Sequence, residues 1–240
     1  MTDVTAARRS NRSAPPLTVD GRIPGKRGLA TRQRLLDVTS AMLQSTAYRD
    51  LAVVDIAREA GVSPATFYQY FADVEAAILV LAEDLADEGA DLLAALVEQS
   101  RGPVDLEVVT RDIAAGFVRL WDDNRAVLRV IDLGAGEGDA RFRELRTRLL
   151  AGPTGALAQV LAERGGRGEG PAGQPQVAAA VLTSMLAHVA AHRQGLEDWG
   201  APADELTDAM ARVLTWALGE DDRARLRQLG SGTAGTAKAS

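Results

Sequence analysis

The sequence predicts an all-α protein, with an N-terminal three-helix helix-turn-helix domain followed by a larger helical bundle. Three observations support this fold class. Apolar residues recur at helical spacing through most of the chain, and no segment alternates apolar and polar residues as a half-buried strand would. Pro, Gly and acidic residues divide the chain into helix-length pieces. Hydrophobic residues make up 46% of the 240 residues, enough for a substantial core.

Four segments are expected along the chain. Residues 1–29 are rich in Ser, Pro, Gly and Arg, and they predict a disordered basic arm because they bury little apolar surface. Residues 30–73 form the helix-turn-helix domain, residues 74–229 the larger bundle, and residues 230–240 a disordered tail. Helices are expected at Thr31–Gln44, Val53–Ala60, Pro64–Phe71, Val74–Gln99, Asp105–Trp121, Arg125–Leu133, Ala140–Glu163, Gln176–Gly195, Ala203–Leu218 and Asp221–Leu229, with a flexible loop over Gly165–Pro175.

Composition and charge narrow the class of protein. The absence of cysteine excludes disulfides and thiolate metal sites. The N-terminus has no signal-peptide core, and the most apolar stretch, Val177–Ala191, is shorter than a membrane span, so a cytoplasmic protein without membrane contact is expected. The net charge of −6 is uneven, because residues 1–80 carry ten basic and eight acidic side chains. A basic N-terminus on an acidic body suits nucleic-acid contact through that end only.

The most informative stretch is Val53–Phe71. Gly61 stands where a helix end favours a positive φ, and Ser63 can cap the next helix. Pro64 suits the first position of that helix, where its missing N–H is not needed. Two short helices joined by a three-residue turn containing Gly are typical of a DNA-binding helix-turn-helix.

The second of these helices has two distinct faces. Phe67 and Phe71 fall on one side, where they are expected to pack on the preceding helices. The other side presents small or hydrogen-bonding residues suited to base edges in the major groove, and tyrosines that can reach phosphates lie at its margins. These residues are Ala65, Thr66 and Gln69, with Tyr68 and Tyr70 at the margins.

The stretch Asp55–Phe71, with the helix before it, resembles the N-terminal signature of the tetracycline-repressor (TetR) family over about Thr31–Leu79. The resemblance implies an all-α homodimer that binds double-stranded DNA at a near-palindromic operator. It also implies that the larger bundle holds a small-molecule effector and the dimer interface, made by the last two long helices, without a cofactor. The implied DNA contacts are Thr31, Ser63, Pro64, Ala65, Thr66, Tyr68, Gln69 and Tyr70.

Two positions depart from the family pattern. Ala52 stands where a capping Ser or Thr is common, and Val74 where a phosphate-binding Lys is common. Both changes are expected to weaken the hold on DNA. Arg22, Lys26 and Arg27 of the arm are expected to offset this by entering the minor groove.

The effector site is less defined by sequence. Candidates within the bundle are Phe117, Leu120, Trp121, Met185 and His188, although each also suits an ordinary core, and a small apolar effector is expected. His188 and His192 have a metal-ligand spacing but no adjacent acid, so no metal site is predicted. Gly134–Gly138 is expected to be a turn between helices. The arginines Arg141, Arg143, Arg146 and Arg148 could bind an anion, although a solvated helix face is more common.

Three functions remain open on sequence. The first is a ligand-responsive repressor, which is not an enzyme. The second is a DNA-binding activator or architectural factor of the same fold without an inducer. The third is an all-α enzyme, which is weakened by the lack of cysteine, the presence of only two histidines and the absence of a catalytic motif.

Overall fold

The computed structural model describes residues 17–101, 105–166 and 174–218, and within these ranges the chain forms helices and no strand. The α-helices are α1 Lys26–Met42, α2 Val53–Glu59, α3 Pro64–Tyr70, α4 Val74–Glu98, α5 Leu106–Asp123, α6 Arg125–Gly136, α7 Ala140–Gly166, α8 Pro175–Asp198 and α9 Ala203–Leu218. The chain divides into two compact units, residues 1–83 and 84–240, with the division inside α4. The all-α prediction is confirmed.

The predicted disorder of residues 1–29 is wrong for residues 17–29. Helix α1 begins at Lys26, five residues before the predicted start. Ahead of it, residues 18–22 form a tight turn in which the Thr18 N–H donates to the Arg22 carbonyl at 2.9 Å. Gly21 adopts φ +80° in this turn, a conformation that glycine tolerates best. Polar hydrogen bonds order this segment, which an argument from apolar burial alone does not anticipate; residues 1–16 lie outside the described part.

The first unit is built on a compact apolar cluster. Phe67 and Phe71 of the helix-turn-helix pack with ring centroids 5.5 Å apart. Around them lie buried residues of α1, α2 and α4, namely Leu35, Leu36, Ile56, Ala60 and Ala77. The guanidinium of Arg32 lies 5.2 Å from the centroid of the Phe71 ring, a cation–π contact at the cluster's edge. This core fixes the outward face of α3.

The second unit is a helical bundle in which α5 packs on α9 and α7 packs on both α6 and α8. The buried hydroxyl of Thr110 on α5 hydrogen bonds to that of Thr215 on α9 at 2.6 Å. Helix α7 approaches the C-terminal part of α4 closely, because Gly152 lies so near the backbone of Ala90 that a Cβ would come within 2.9 Å of its carbonyl oxygen.

Apart from the start of α1, the helix bounds lie within about three residues of the predicted ones: α6, α7 and α8 are longer, α2, α3 and α4 end one residue earlier, and α9 matches. Helix α6 continues to Gly136, so the turn predicted over Gly134–Gly138 occupies only its last two residues, where Gly138 takes φ +95°. Helix α8 contains a non-helical residue at His192, where it is kinked. The predicted helix Asp221–Leu229 and the tail lie outside the described residues. None of the described helices has the length and apolarity needed to cross a membrane.

Candidate nucleic-acid interface and ligand cavity

The turn between α2 and α3 has the predicted local chemistry. Gly61 adopts φ +66° directly after α2. The Ser63 hydroxyl accepts a hydrogen bond from the Thr66 N–H at 3.1 Å, and Pro64 occupies the first turn of α3. The turn therefore sets the angle between the two short helices through backbone geometry and one side-chain cap.

Helix α3 presents a polar face to solvent. Ser63, Pro64, Ala65 and Gln69 are exposed, and Tyr68 retains 51% of its accessible surface. Thr66 is half-buried, and its hydroxyl hydrogen bonds to the Ser63 hydroxyl at 2.9 Å. The face is narrow and carries no charge, so it can read base edges by shape and hydrogen bonding.

Tyr70 and Thr31 are less accessible for contact with DNA than the sequence suggested. Tyr70 is half-buried against the apolar cluster, and its hydroxyl lies beside Gly28 of α1. The half-buried Thr31 donates its hydroxyl to the Arg27 carbonyl at 3.1 Å. Of the two predicted marginal tyrosines, Tyr68 is the one whose ring is free to reach a phosphate.

The described part of the arm is hydrogen bonded to α3, the second helix of the helix-turn-helix, which is called the recognition helix below. The Val19 N–H donates to the Gln69 carbonyl at 2.9 Å, so the turn at residues 18–22 is hydrogen bonded to the C-terminal end of α3. Arg22 is paired with Asp20 at 3.1 Å. The Thr18 hydroxyl, assisted by Arg22, lowers the pKa of Asp20. Among the described residues, no carboxylate pairs with Lys26 or Arg27, which are exposed in the first turn of α1.

A cavity of about 630 Å³ lies within the second unit, between the end of α5 and helices α6, α7 and α8. Its apolar wall includes Trp121, Leu128, Ile131, Leu149, Leu150 and Ala187. Its polar wall is formed by Asp132, Arg143, Arg146, Thr147, His188 and His192. The apolar residues are mostly buried, whereas most of the polar ones are exposed, so the polar groups lie where the cavity meets solvent.

Only some of the predicted effector residues line this cavity. Trp121 and His188 lie in the cavity wall. Phe117, Leu120 and Met185 do not line this cavity, so their place in an effector site stays a prediction. Phe117 is buried and stacks on the Trp121 ring, with centroids 6.1 Å apart, and Leu120 is also a core residue. Helices α5 and α8 both contribute to the cavity wall, but the sequence could not tell which face of each helix meets the cavity.

Ion pairs hold the elements around the cavity. Arg146 on α7 pairs with Asp132 on α6 at 3.0 Å. Arg193, next to the kink of α8, bonds to Asp122 at the end of α5 at 2.7 Å. The hydrogen bond from Asp122 raises the pKa of Arg193. At the start of α7, hydrogen bonds from Arg141 lower the pKa of Asp139 to about 2.

Two family models match this chain. Residues 35–76 match the one described as bacterial regulatory proteins, tetR family. Residues 99–225, just over half of the chain, match the one described as tetracyclin repressor-like, C-terminal domain.

The chain belongs to the TetR family.

Similar proteins agree with this membership. A curated relative from Haemophilus influenzae, an uncharacterized HTH-type transcriptional regulator, is 32% identical over 76 residues, which is 31% of this chain and only 35% of that relative's length. A protein of unknown function from Rhodococcus sp. RHA1 has a TM-score of 0.62 at 22% identity, covering 79% of this chain and 96% of that one. The fatty acid degradation regulator FadR from Bacillus halodurans has a TM-score of 0.59 at 18% identity, covering 82% and 97%. At these identities, the two structures show a shared fold.

The protein is thus a TetR-family transcriptional regulator with a helix-turn-helix DNA-binding domain, rather than a member of an enzyme family. The sequence did not indicate that His192, Asp132 and Thr147 line a cavity in the second unit. The spacing of Arg143, Arg146 and Thr147 along α7 does place them on one side of that helix. This spacing can be read from the sequence, but a helix face exposed only to solvent has the same spacing. In the described part of the chain, no three His, Asp or Glu side chains are grouped as a metal site would require.

Proposed function

We propose that this regulator is a ligand-controlled repressor that binds a near-palindromic operator as a homodimer and is released by a small effector with a large apolar part. The observation that carries the proposal is the presence of two separate features in one chain. One is the exposed polar face of α3, and the other is the cavity of about 630 Å³ in the second unit. DNA binding alone requires no such cavity.

The DNA-binding part of the proposal is supported by the surface of the first unit. Gln69 is exposed and can donate to and accept from adenine in the major groove. Tyr68 lies beside it with a free ring. The remaining contacts proposed from the sequence are Thr31, Ser63, Pro64, Ala65, Thr66 and Tyr70, with Arg22, Lys26 and Arg27 on the arm. Tyr70 and Thr31 are expected to contribute least because their hydroxyls lie against the protein.

The homodimer is supported by an exposed apolar face on the last two helices. Val177 and Val181 of α8 are more than half exposed, and Trp216 of α9 is 78% exposed. Val213 lies one turn from Trp216 and is also exposed. Exposed large apolar residues on two helices that pack on each other are typical of a surface that another chain covers. A twofold dimer through α8 and α9 would bury them and carry two recognition helices.

Operator binding is tested by fluorescence anisotropy with a labelled duplex from the DNA upstream of the protein's own gene, at fixed salt and with unrelated competitor DNA. We expect two subunits to bind specifically, and Gln69→Ala or Tyr68→Ala to weaken binding by about 1–3 kcal/mol. Gln44→Ala is the matched control, because Gln44 is an exposed glutamine just after α1 and outside the proposed contact set. Equal binding to random DNA would contradict the proposal.

The effector part of the proposal has its own test. Compounds with apolar bodies are added to the preformed complex, and loss of anisotropy reports release. Ala191 also lines the cavity, and release that disappears when Ala191→Phe fills it would support control by a ligand. An activator or architectural factor of the same fold would instead bind the operator in the presence of every compound.

A further inference from the structure

The polar wall of the cavity has more hydrogen-bond donors than acceptors. Asp132 is the only carboxylate among the lining residues, and Arg146 already pairs with it at 3.0 Å. Thr147 adds a hydroxyl, whereas Arg143, His188 and His192 add N–H donors. A ligand that complements this wall must therefore supply acceptors.

Arg143 contributes a positive charge that no carboxylate of the described residues pairs with, whereas its neighbours on the same helix are paired. Arg141 bonds to Asp139 at 2.7 Å, and Arg148 bonds to Asp87 at 2.9 Å. Of these α7 arginines, only Arg143 both lines the cavity and has no carboxylate partner in the described part of the chain.

The two histidines of α8 line the same cavity as Arg143 of α7. Their ring centroids are 4.3 Å apart, because the residues are one turn apart on the helix. His192 is the non-helical residue of α8, so the kink positions its ring at the wall. Each imidazole has at least one N–H donor whatever its charge. An acceptor between Arg143 and the rings would meet donors from two helices.

The buried apolar wall of the cavity suits an apolar body. Leu128, Ile131 and Leu149 are almost fully buried there, with the indole of Trp121 beside them. The indole Nε1–H is itself buried and has no acceptor within the described residues. A ligand spanning the cavity would lay its hydrophobic part on these side chains and leave its polar end at the mouth.

We propose that the effector of this regulator is an organic anion, in which an apolar body occupies the buried end and a carboxylate meets Arg143, His188 and His192. This inference rests on the proposed ligand control, but it makes the ligand class specific. A purely lipophilic molecule would leave the donors at the mouth without a protein or ligand acceptor.

The test uses the full-length protein and two pairs of probes in isothermal titration calorimetry. The acids are 1-naphthoate and octanoate, and each is compared with the alcohol of the same carbon skeleton. We expect each acid to bind about ten-fold more tightly than its alcohol, as one charge-assisted hydrogen bond predicts. Arg143→Gln should remove most of this preference and leave alcohol binding unchanged.

Arg148→Gln is the matched control, because it removes the same charge from the same helix outside the cavity. It should keep the preference, and Ala191→Phe should abolish binding of all four probes. Circular dichroism melts establish that each variant is folded. Equal affinity for acids and alcohols, failure of both acids to bind, or the same loss in Arg148→Gln would overturn the inference.

Operator release is measured separately, so that the two proposals can fail separately. Preferential binding of the acids without release of DNA would support the anion site and contradict ligand control by these compounds. Release by the alcohols as readily as by the acids would support ligand control and overturn the inferred charge of the effector.

Discussion

The two helices of the helix-turn-helix begin with different caps. Ser63 accepts the Thr66 N–H at the start of α3, whereas Ala52 at the start of α2 offers no side-chain acceptor. Ala52 nevertheless has φ −105° and ψ 140°, the extended conformation of a capping residue, and it is exposed. The backbone at Ala52 is therefore ready for a cap that its side chain does not supply.

Two substitutions at these caps should change stability in opposite directions. Ser63→Ala should lower the free energy of unfolding by about 1 kcal/mol, and Ala52→Ser should raise it by roughly 0.5–1 kcal/mol. Urea unfolding followed by circular dichroism measures both. The exposed Ala72→Ser, which lies between helices and caps neither, serves as the control. A stabilising Ser63→Ala would contradict the capping role.

Residue-level prediction succeeded where local chemistry decides the structure. Gly61, Ser63 and Pro64 act within three residues of one another, so their roles follow from the sequence alone. Phe117 and Trp121 show the opposite case, because both suit a core or a pocket wall. Which of the two lines the cavity depends on how α6, α7 and α8 pack. That packing is set by many small contacts between residues far apart in sequence.

At the scale of elements, the arm behaves as part of the DNA-binding domain. The turn at residues 18–22 is held to α3 through the bond from Val19 to Gln69, and α1 continues from it at Lys26. Arg22 is paired with Asp20, whereas Lys26 and Arg27 are paired with no carboxylate in the described part of the chain. The three cations should therefore contribute unequally to phosphate binding.

Salt dependence distinguishes these cations. Lys26→Ala and Arg27→Ala should each reduce the slope of log Kd against log salt by about one if the side chain meets a phosphate. Arg22→Ala should change it less, because the Asp20 carboxylate already neutralises that guanidinium. Anisotropy titrations over several salt concentrations measure the slopes, with the exposed Arg129→Ala in the second unit as the control. If Arg22→Ala changed the slope more than Lys26→Ala and Arg27→Ala did, this order would be contradicted.

At the scale of the whole molecule, the cavity and the proposed dimer surface meet at one residue. Val177, Val181, Ser184 and His188 follow one another along the same side of α8, and all four are exposed. His188 also lines the cavity. A ligand that changes the position of His188 would therefore act at the edge of the proposed dimer surface, which would give a short physical route from effector to operator.

The dimer surface gives the last prediction. Trp216→Glu should convert the protein to a monomer at micromolar concentration. Burial of one large aromatic side chain is worth about 1.5–3 kcal/mol, and a twofold interface loses it twice. The dimer dissociation constant should rise at least about a hundred-fold, and operator affinity should fall with it because one recognition helix is lost from each complex. Sedimentation equilibrium measures the first effect and anisotropy the second.

Leu92→Glu is the matched control, since Leu92 is an exposed apolar residue on α4 rather than on α8 or α9. An unchanged dimer in Trp216→Glu, or equal dissociation in Leu92→Glu, would place the interface elsewhere, and the exposed face of α9 would then need another partner.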